Sequence, residues 1–276
     1  MIPIDEVRSR YREEAIQHGI SPRDVDLLLA DLLSRSVGWL FAHGEEHVDP
    51  HPLEVLLERR FAGEPLQYIR GKCDFYGREL YVDNRVLIPR PETEILVETA
   101  LARAPRGGSV VDVGTGSGCI AISIERERPD LQVTGTDLSL GALAVAKRNR
   151  ALHGSRARLT ASDLLLSLRA RFDVIASNPP YVPLGEYEDL AVEVRIHEPK
   201  SAVTPGPSGF EIIERLLEES RTRLASGGCV ILEVGYGQEA AMRALAATGG
   251  WTIDDFLPDL AGIPRLVVLS RDGDER

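Results

Sequence analysis

The chain has 276 residues, a formal charge of −11 and 43% hydrophobic content, enough apolar material for one large domain or two ordinary ones, so disorder is not the expectation. Aromatic residues make up only 5%, too few for a surface of base-stacking platforms, and the acidic balance argues against a protein that grips bare phosphate backbone. Cys73, Cys119 and Cys229 lie far apart without C-x-x-C spacing, and neither a signal-like start nor an apolar run of about 18 residues is present, which points to a cytoplasmic protein with reduced thiols and no membrane partner.

Residues 1–72 read as a small helical domain. Ser21-Pro22 supplies an N-cap and a first-turn proline ahead of Val25, Leu28, Leu29, Leu32 and Leu33, which share one helix face, and Pro52 opens a second helix carrying Leu53, Leu56, Leu57 and Phe61. Residues 73–90 read as a β-hairpin linker, with strands at 74–76 and 80–82 and a turn at Gly77-Arg78. Pro89-Arg-Pro91 breaks the chain, and Glu92-Thr-Glu94 opens a helix that begins a catalytic domain spanning 91–276.

In that domain strands and helices alternate, which predicts a mostly parallel sheet covered on both faces. The strands fall at 110–113, 133–137, 158–161, 174–177, 229–234, 251–256 and 266–270, and the helices at 120–126, 140–152, 210–224 and 238–248. Only Pro258 to Pro264 separates the last two strands, too little for a crossover helix, so the seventh should run antiparallel beside the sixth.

Two motifs carry chemistry. The run Val110-Val-Asp112-Val-Gly114-Thr115-Gly116-Ser117-Gly118 takes a strand through a glycine-rich turn into a helix, where a nucleotide-like cofactor can approach the backbone. Gly116-Ser-Gly118-Cys-Ile-Ala121 also fits a dinucleotide loop, with Asp137 about 20 residues further on as a ribose acceptor, so a nicotinamide-dependent dehydrogenase is a rival reading. Asp112 separates the two. A carboxylate directly before the glycines would repel pyrophosphate, yet it can order the turn or meet the cationic α-amino group of S-adenosyl-L-methionine. Asp163, ending the third strand, is placed to accept from an adenine amino group with Leu164 packing on the ring; a helix or turn cap is the plainer role for Asp112 and Asp163. The second motif, Asn178-Pro179-Pro180-Tyr181, follows the apolar run 172–177 and so sits at the C-terminal end of a buried strand, where open α/β sheets place ligands. Hydride transfer has no evident use for it.

Gly63-Glu-Pro-Leu-Gln-Tyr-Ile-Arg70-Gly71, Val86-Leu-Ile-Pro-Arg-Pro-Glu-Thr-Glu94, Asp112-Val-Gly-Thr-Gly-Ser-Gly-Cys-Ile-Ala121 and Ser177-Asn-Pro-Pro-Tyr-Val182 together resemble the peptide chain release factor N5-glutamine methyltransferase family of the HemK/PrmC type, over nearly the whole chain. The resemblance implies methylation of the glutamine side-chain amide in the Gly-Gly-Gln tip of class-I release factors. It also implies a helical N-terminal domain that recognises this protein partner, joined by the hairpin to a class-I methyltransferase domain. No nucleic-acid partner is then expected.

The residues fit that chemistry on their own terms. A glutamine amide nitrogen is a poor nucleophile because its lone pair is delocalised, so an enzyme gains by holding both N–H bonds in acceptors that favour a pyramidal nitrogen. Asn178 Oδ1 and the Pro179 carbonyl supply two acceptors, Pro180 adds stiffness, and Tyr181 can stack on the amide plane. The same tetrapeptide also suits amino-methylation of a flipped adenine in DNA or RNA, against which the charge and the helical segment argue. His43, His47 and His51 recur every four residues, but Gly44, Pro50 and Pro52 interrupt any helix there, so a solvated loop is expected and no metal. Arg90 reads equally as a residue near the site or as a linker ion pair. The acidic run 186–189 with Glu193 reads as an exposed loop, and Ser208 reads as the N-cap of the helix that follows it.

Overall fold

The structure is a computed structural model describing residues 1–273. In chain order it runs β1 (Ile2–Pro3), α1 (Ile4–Gln17), α2 (Pro22–Leu33), α3 (Val37–Ala42), β2 (His47–Val48), α4 (His51–Phe61), α5 (Leu66–Arg70), β3 (Cys73–Phe75) and β4 (Arg78–Leu80). A 3-10 turn (Pro91–Thr93) leads into α6 (Glu94–Arg103), then β5 (Ser109–Val113), α7 (Cys119–Glu127), β6 (Gln132–Asp137), α8 (Leu140–Leu152), β7 (Arg158–Ala161) and β8 (Phe172–Ser177). After it come α9 (Val192–His197), α10 (Glu211–Arg223), β9 (Leu224–Glu233), α11 (Glu239–Gly249), β10 (Trp251–Pro258) and β11 (Pro264–Arg271). Two compact units result: Met1–Gly71 with Ala191–His197, and Lys72–Leu190 with Glu198 onward.

The first unit buries Ile4, Val7, Val25, Leu28, Leu29, Leu53 and Leu57 in one core. The Ser21 hydroxyl accepts from the Arg23 amide at 3.3 Å and so caps α2. Leu32 is exposed, because α2 turns only part of its apolar stripe inward. Two arginines tie the helices together: Arg8 Nε donates to Asp26 Oδ1 at 2.9 Å, and Arg60 spans Asp24 Oδ2 at 2.8 Å and Glu193 Oε1 at 2.5 Å. Glu193, read from sequence as part of an exposed loop, is thus an ion-pair partner on α9, a helix that belongs to this unit. The three histidines fall on different elements: His43 ends α3 with its ring stacked on Trp39, His47 lies in β2 and His51 begins α4.

The second unit is a seven-stranded sheet ordered β10-β11-β9-β8-β5-β6-β7. Strands β5 to β9 are parallel, and β11 runs antiparallel to both β9 and β10, inserted between them. Because successive strand residues face opposite sides, adjacent apolar residues feed two cores. Val110, Val174, Ile231 and Val268 pack on one face with Leu96, Val97 and Ile124, while Val111, Ile175, Val230 and Val267 pack on the other with Ile213, Leu216 and Met242. Phe75 and Leu80 of the hairpin belong to the first of these cores. The hairpin turn is Tyr76-Gly77, one residue earlier than its sequence suggests, with φ of 50° and 70°; two left-handed residues in succession are what a two-residue turn between twisted strands requires. Leaving β5, the chain moves through β6 and β7 and returns to β8 on the other side of β5, which sets a switch point at the carboxyl ends of β5 and β8.

One local expectation is corrected. Ser208 does not cap α10: its hydroxyl accepts from the Phe210 amide at 3.0 Å, ahead of the helix, and the Glu211 carboxylate turns back to accept from Ser208 N at 2.7 Å and Gly209 N at 3.1 Å. The helix begins at Glu211, so Phe210 holds the N-cap position and Ser208 lies two residues too early to reach the first-turn amides.

Candidate active site

A cavity of about 310 Å³ opens at the switch point, within the size range of cofactor sites. Its lining brings together Gly114, Thr115, Gly116 and Ser117 of the glycine turn, Asp137 at the end of β6, Asp163 and Leu164 after β7, and Asn178, Pro179 and Pro180 after β8. Arg90 and Thr93 complete one wall. Three sequence-predicted residues lie behind this surface: Asp112, Gly118 and Tyr181.

The glycine turn is held from below. Asp112 is fully buried; its Oδ2 accepts from the Thr115 hydroxyl at 2.6 Å and the Ala121 amide at 3.1 Å, and among the described residues its Oδ1 has no partner. Burial pushes its carboxyl up to about 7, against the pull of those two donors. These contacts match the turn-ordering alternative for Asp112, whose Oδ1 stays buried behind the cavity lining. Gly118, at φ 84°, packs so tightly that a Cβ would stand 2.9 Å from Ile122 Cδ1 and 3.2 Å from Ala146 Cβ. From above, the buried Asn149 of α8 donates to Ser117 O and to Tyr81 O, each at 2.9 Å, and accepts from Tyr81 N at 2.7 Å, so one side chain joins the turn to the segment after the hairpin.

Asp137 presents a carboxylate whose oxygens each take one backbone donor, Ser139 N at 2.8 Å and Gly116 N at 2.9 Å, which leaves acceptor capacity for a ribose-like diol. Burial raises its pKa. Asp163 Oδ2 accepts from Arg215 Nη2 at 2.8 Å, and Leu164 adopts φ 46°, a costly conformation for a non-glycine residue, at the cavity edge.

At the other end Asn178 Nδ2 donates to Thr93 Oγ1 at 3.0 Å, and Thr93 Oγ1 donates to Glu233 Oε2 at 2.7 Å. Tyr181 does not face the cavity. Its hydroxyl reaches Glu233 Oε1 at 3.3 Å, its ring packs with the second core, and its carbonyl accepts from Gln238 Nε2 at 2.8 Å. A Cβ on Gly209 would lie 2.5 Å from that carbonyl, so the loop 205–209 presses directly on the tetrapeptide. Arg90 is both a cavity residue and an ion pair: its guanidinium bonds Glu198, whose other oxygen accepts from Ile88 N at 3.1 Å.

Sequence reasoning did not single out Thr93, Glu233, Asn149, Glu198 or Gln238. Glu233 had a signal, an acid closing the apolar run 229–232, and Asn149 had another, an amide on the inward face of α8.

Sheet order, glycine turn and a cavity shared with the β8 exit define a class-I methyltransferase. The model of the methyltransferase small domain matches residues 91–208, and that of the PrmC N-terminal domain matches residues 6–71. A release factor glutamine methyltransferase from Koribacter versatilis is 40% identical over 90% of this chain and 91% of its own length, and one from Neisseria gonorrhoeae is 42% identical over 82% and 84%. The crystal structure of a Pyrococcus furiosus methyltransferase shares the fold at a TM-score of 0.55 and 22% identity, covering 79% of this chain and 96% of that one. The chain belongs to the release factor glutamine methyltransferase family. Among the described residues no helix is long and apolar enough to cross a membrane.

Proposed function

We propose that this protein methylates the side-chain amide nitrogen of the glutamine in the Gly-Gly-Gln motif of class-I peptide chain release factors, with S-adenosyl-L-methionine as donor. The observation that carries this reading is the position of Asn178: it lines the same cavity as the glycine turn, with its amide nitrogen held by Thr93 and its Oδ1 left as an acceptor.

When bound, S-adenosyl-L-methionine supplies an electrophilic methyl group on a cationic sulfur. The residues assigned to hold it are Gly114, Thr115, Gly116, Ser117, Asp137, Asp163, Leu164 and Asn178 at the cavity surface, with Asp112 and Gly118 beneath, and the donor set suits it: carboxylates for the diol and amino groups, and the positive end of α7 for a carboxylate. Asn178 Oδ1 and the Pro179 carbonyl take the two N–H bonds of the substrate amide and favour a pyramidal nitrogen. Proline's fixed φ keeps this corner stiff, so acceleration comes mainly from alignment rather than from a base. Tyr181 acts from behind, by bracing the tetrapeptide through Glu233 and Gln238. The helical unit supplies contacts to the protein partner, and the charge of −11 disfavours nucleic acid as the acceptor.

The test is to incubate the protein with methyl-labelled S-adenosyl-L-methionine and either a release factor or a DNA or RNA duplex, and to locate the label by mass spectrometry. Label on the glutamine amide supports the reading; label on adenine overturns it.

A further inference from the structure

We propose that Glu233, acting through the Thr93 hydroxyl, determines which end of the Asn178 side-chain amide is offered to the substrate nitrogen, so that Glu233 and Thr93 are positioning residues for methyl transfer. This rests on the acceptor role of Asn178 proposed above.

The number of protons available to the three side chains fixes the orientation. Glu233 and Thr93 are almost fully buried, so water does not mediate between them, and the chain of contacts is direct: Asn178 Nδ2 to Thr93 Oγ1 at 3.0 Å, Thr93 Oγ1 to Glu233 Oε2 at 2.7 Å, and Tyr181 OH to Glu233 Oε1 at 3.3 Å. An ionised carboxylate only accepts, and a hydroxyl has one proton to give. With Glu233 ionised, Thr93 gives its proton to Oε2 and has only lone pairs left for Asn178. The NH₂ end of Asn178 is then the only end that fits against Thr93, and Oδ1 is the end left for the substrate. The two ends of an amide have nearly the same shape, so packing alone discriminates poorly between them. A reversed amide would set N–H donors against the substrate's own N–H, leaving buried donors unpaired.

Protonation reverses the relay. A neutral Glu233 can donate to Thr93, whose own proton then goes to Asn178 Oδ1, and the amide turns over. The groups that face Glu233 are Thr93 and Glu92 from the 3-10 turn, Tyr181 from the tetrapeptide and Arg265 from β11; Arg265 favours the anion, while burial and Glu92 oppose it and raise the carboxyl pKa.

The test uses the full chain, a release factor as methyl acceptor, and calorimetric cofactor binding as a second readout. Asn178→Asp sets a carboxylate against a Thr93 whose only proton is committed to Glu233, and kcat should fall about a hundredfold. Adding Glu233→Gln gives Thr93 a donor and releases its proton to the new carboxylate, whose second oxygen remains an acceptor. The double variant should recover about tenfold in kcat over Asn178→Asp, and Thr93→Val in that background should cancel the gain, with the cofactor Kd of the double and triple variants within about twofold of the Asn178→Asp value. A double variant no faster than Asn178→Asp, or a gain that survives Thr93→Val, overturns the relay. If these variants do not fold, the wild type decides: at saturating cofactor and release factor its kcat should fall about tenfold per pH unit on the acid side as Glu233 takes up one proton, and a profile without that limb overturns the proposal. Failure of the acceptor reading itself looks different, since Asn178→Ala would then keep its turnover.

Discussion

The Thr115 hydroxyl donates to Asp112 Oδ2 at 2.6 Å from the turn directly above it, while Asp112 Oδ1 is sealed from solvent without a partner among the described residues. One oxygen orders the loop, and the other carries the cost of burial. Because that cost raises the folded carboxyl to about 7 from an ordinary value of 3.8, the folded state holds a proton that the unfolded state has already lost. The Asp112 contribution to stability is thus fully present below pH 4 and is lost as pH rises toward and through 7. In the cofactor-free protein, the difference in Tm between Asp112→Asn and wild type should move in favour of the variant across pH 4 to 7. A difference that stays flat over that window would contradict the assignment.

Gly118 is needed for both its conformation and its lack of a side chain. Gly118→Ala costs about 1–2 kcal/mol for a left-handed alanine and about 1–3 kcal/mol for pressing against the Ile122 Cδ1 methyl, which would have to rotate, and against Ala146, whose Cα and Cβ are fixed by α8. Thermal melts should show Tm lower by at least about 4 °C, at roughly 2–4 °C per kcal/mol, together with weaker cofactor binding. An unchanged Tm would mean that the loop can relax at no cost.

Asn149, itself fully buried, satisfies three backbone groups at once. Asn149→Leu keeps the volume but strips partners from Tyr81 N, Tyr81 O and Ser117 O, and should destabilise the protein by about 2–5 kcal/mol, as measured by urea unfolding. A loss below about 1 kcal/mol would show that water replaces the amide.

Much of this architecture was legible because local pattern and tertiary role agreed. Helix α8 and strand β7 have the bounds that periodicity assigns to them, and the glycine turn and tetrapeptide lie at strand ends as their flanking apolar runs require. Strand β9 begins earlier than its apolar run, because Leu224 pairs beside Phe172 and carries the glycine-bearing segment 224–228 into the sheet, a contact that propensity alone would not indicate. The site's supporting residues were hidden for a related reason. Thr93 is 140 residues from Glu233 and 85 from Asn178, so no local periodicity relates them; in sequence Thr93 reads as part of a helix start, yet its hydroxyl leaves the helix uncapped to reach Glu233. Tyr181 reads as an aromatic face for the substrate, but Gly209, Gly235 and Gln238 box it in from the back of the loop, which only the fold brings there.

The acceptor assignment is tested most directly by Asn178→Ala, with cofactor Kd measured by calorimetry and kcat measured on a release factor. Removing the amide takes away one cofactor contact but leaves the glycine turn, Asp137 and Asp163 in place, so Kd should rise by about tenfold or less while kcat falls at least about a hundredfold. Wild-type turnover from this variant would contradict the account.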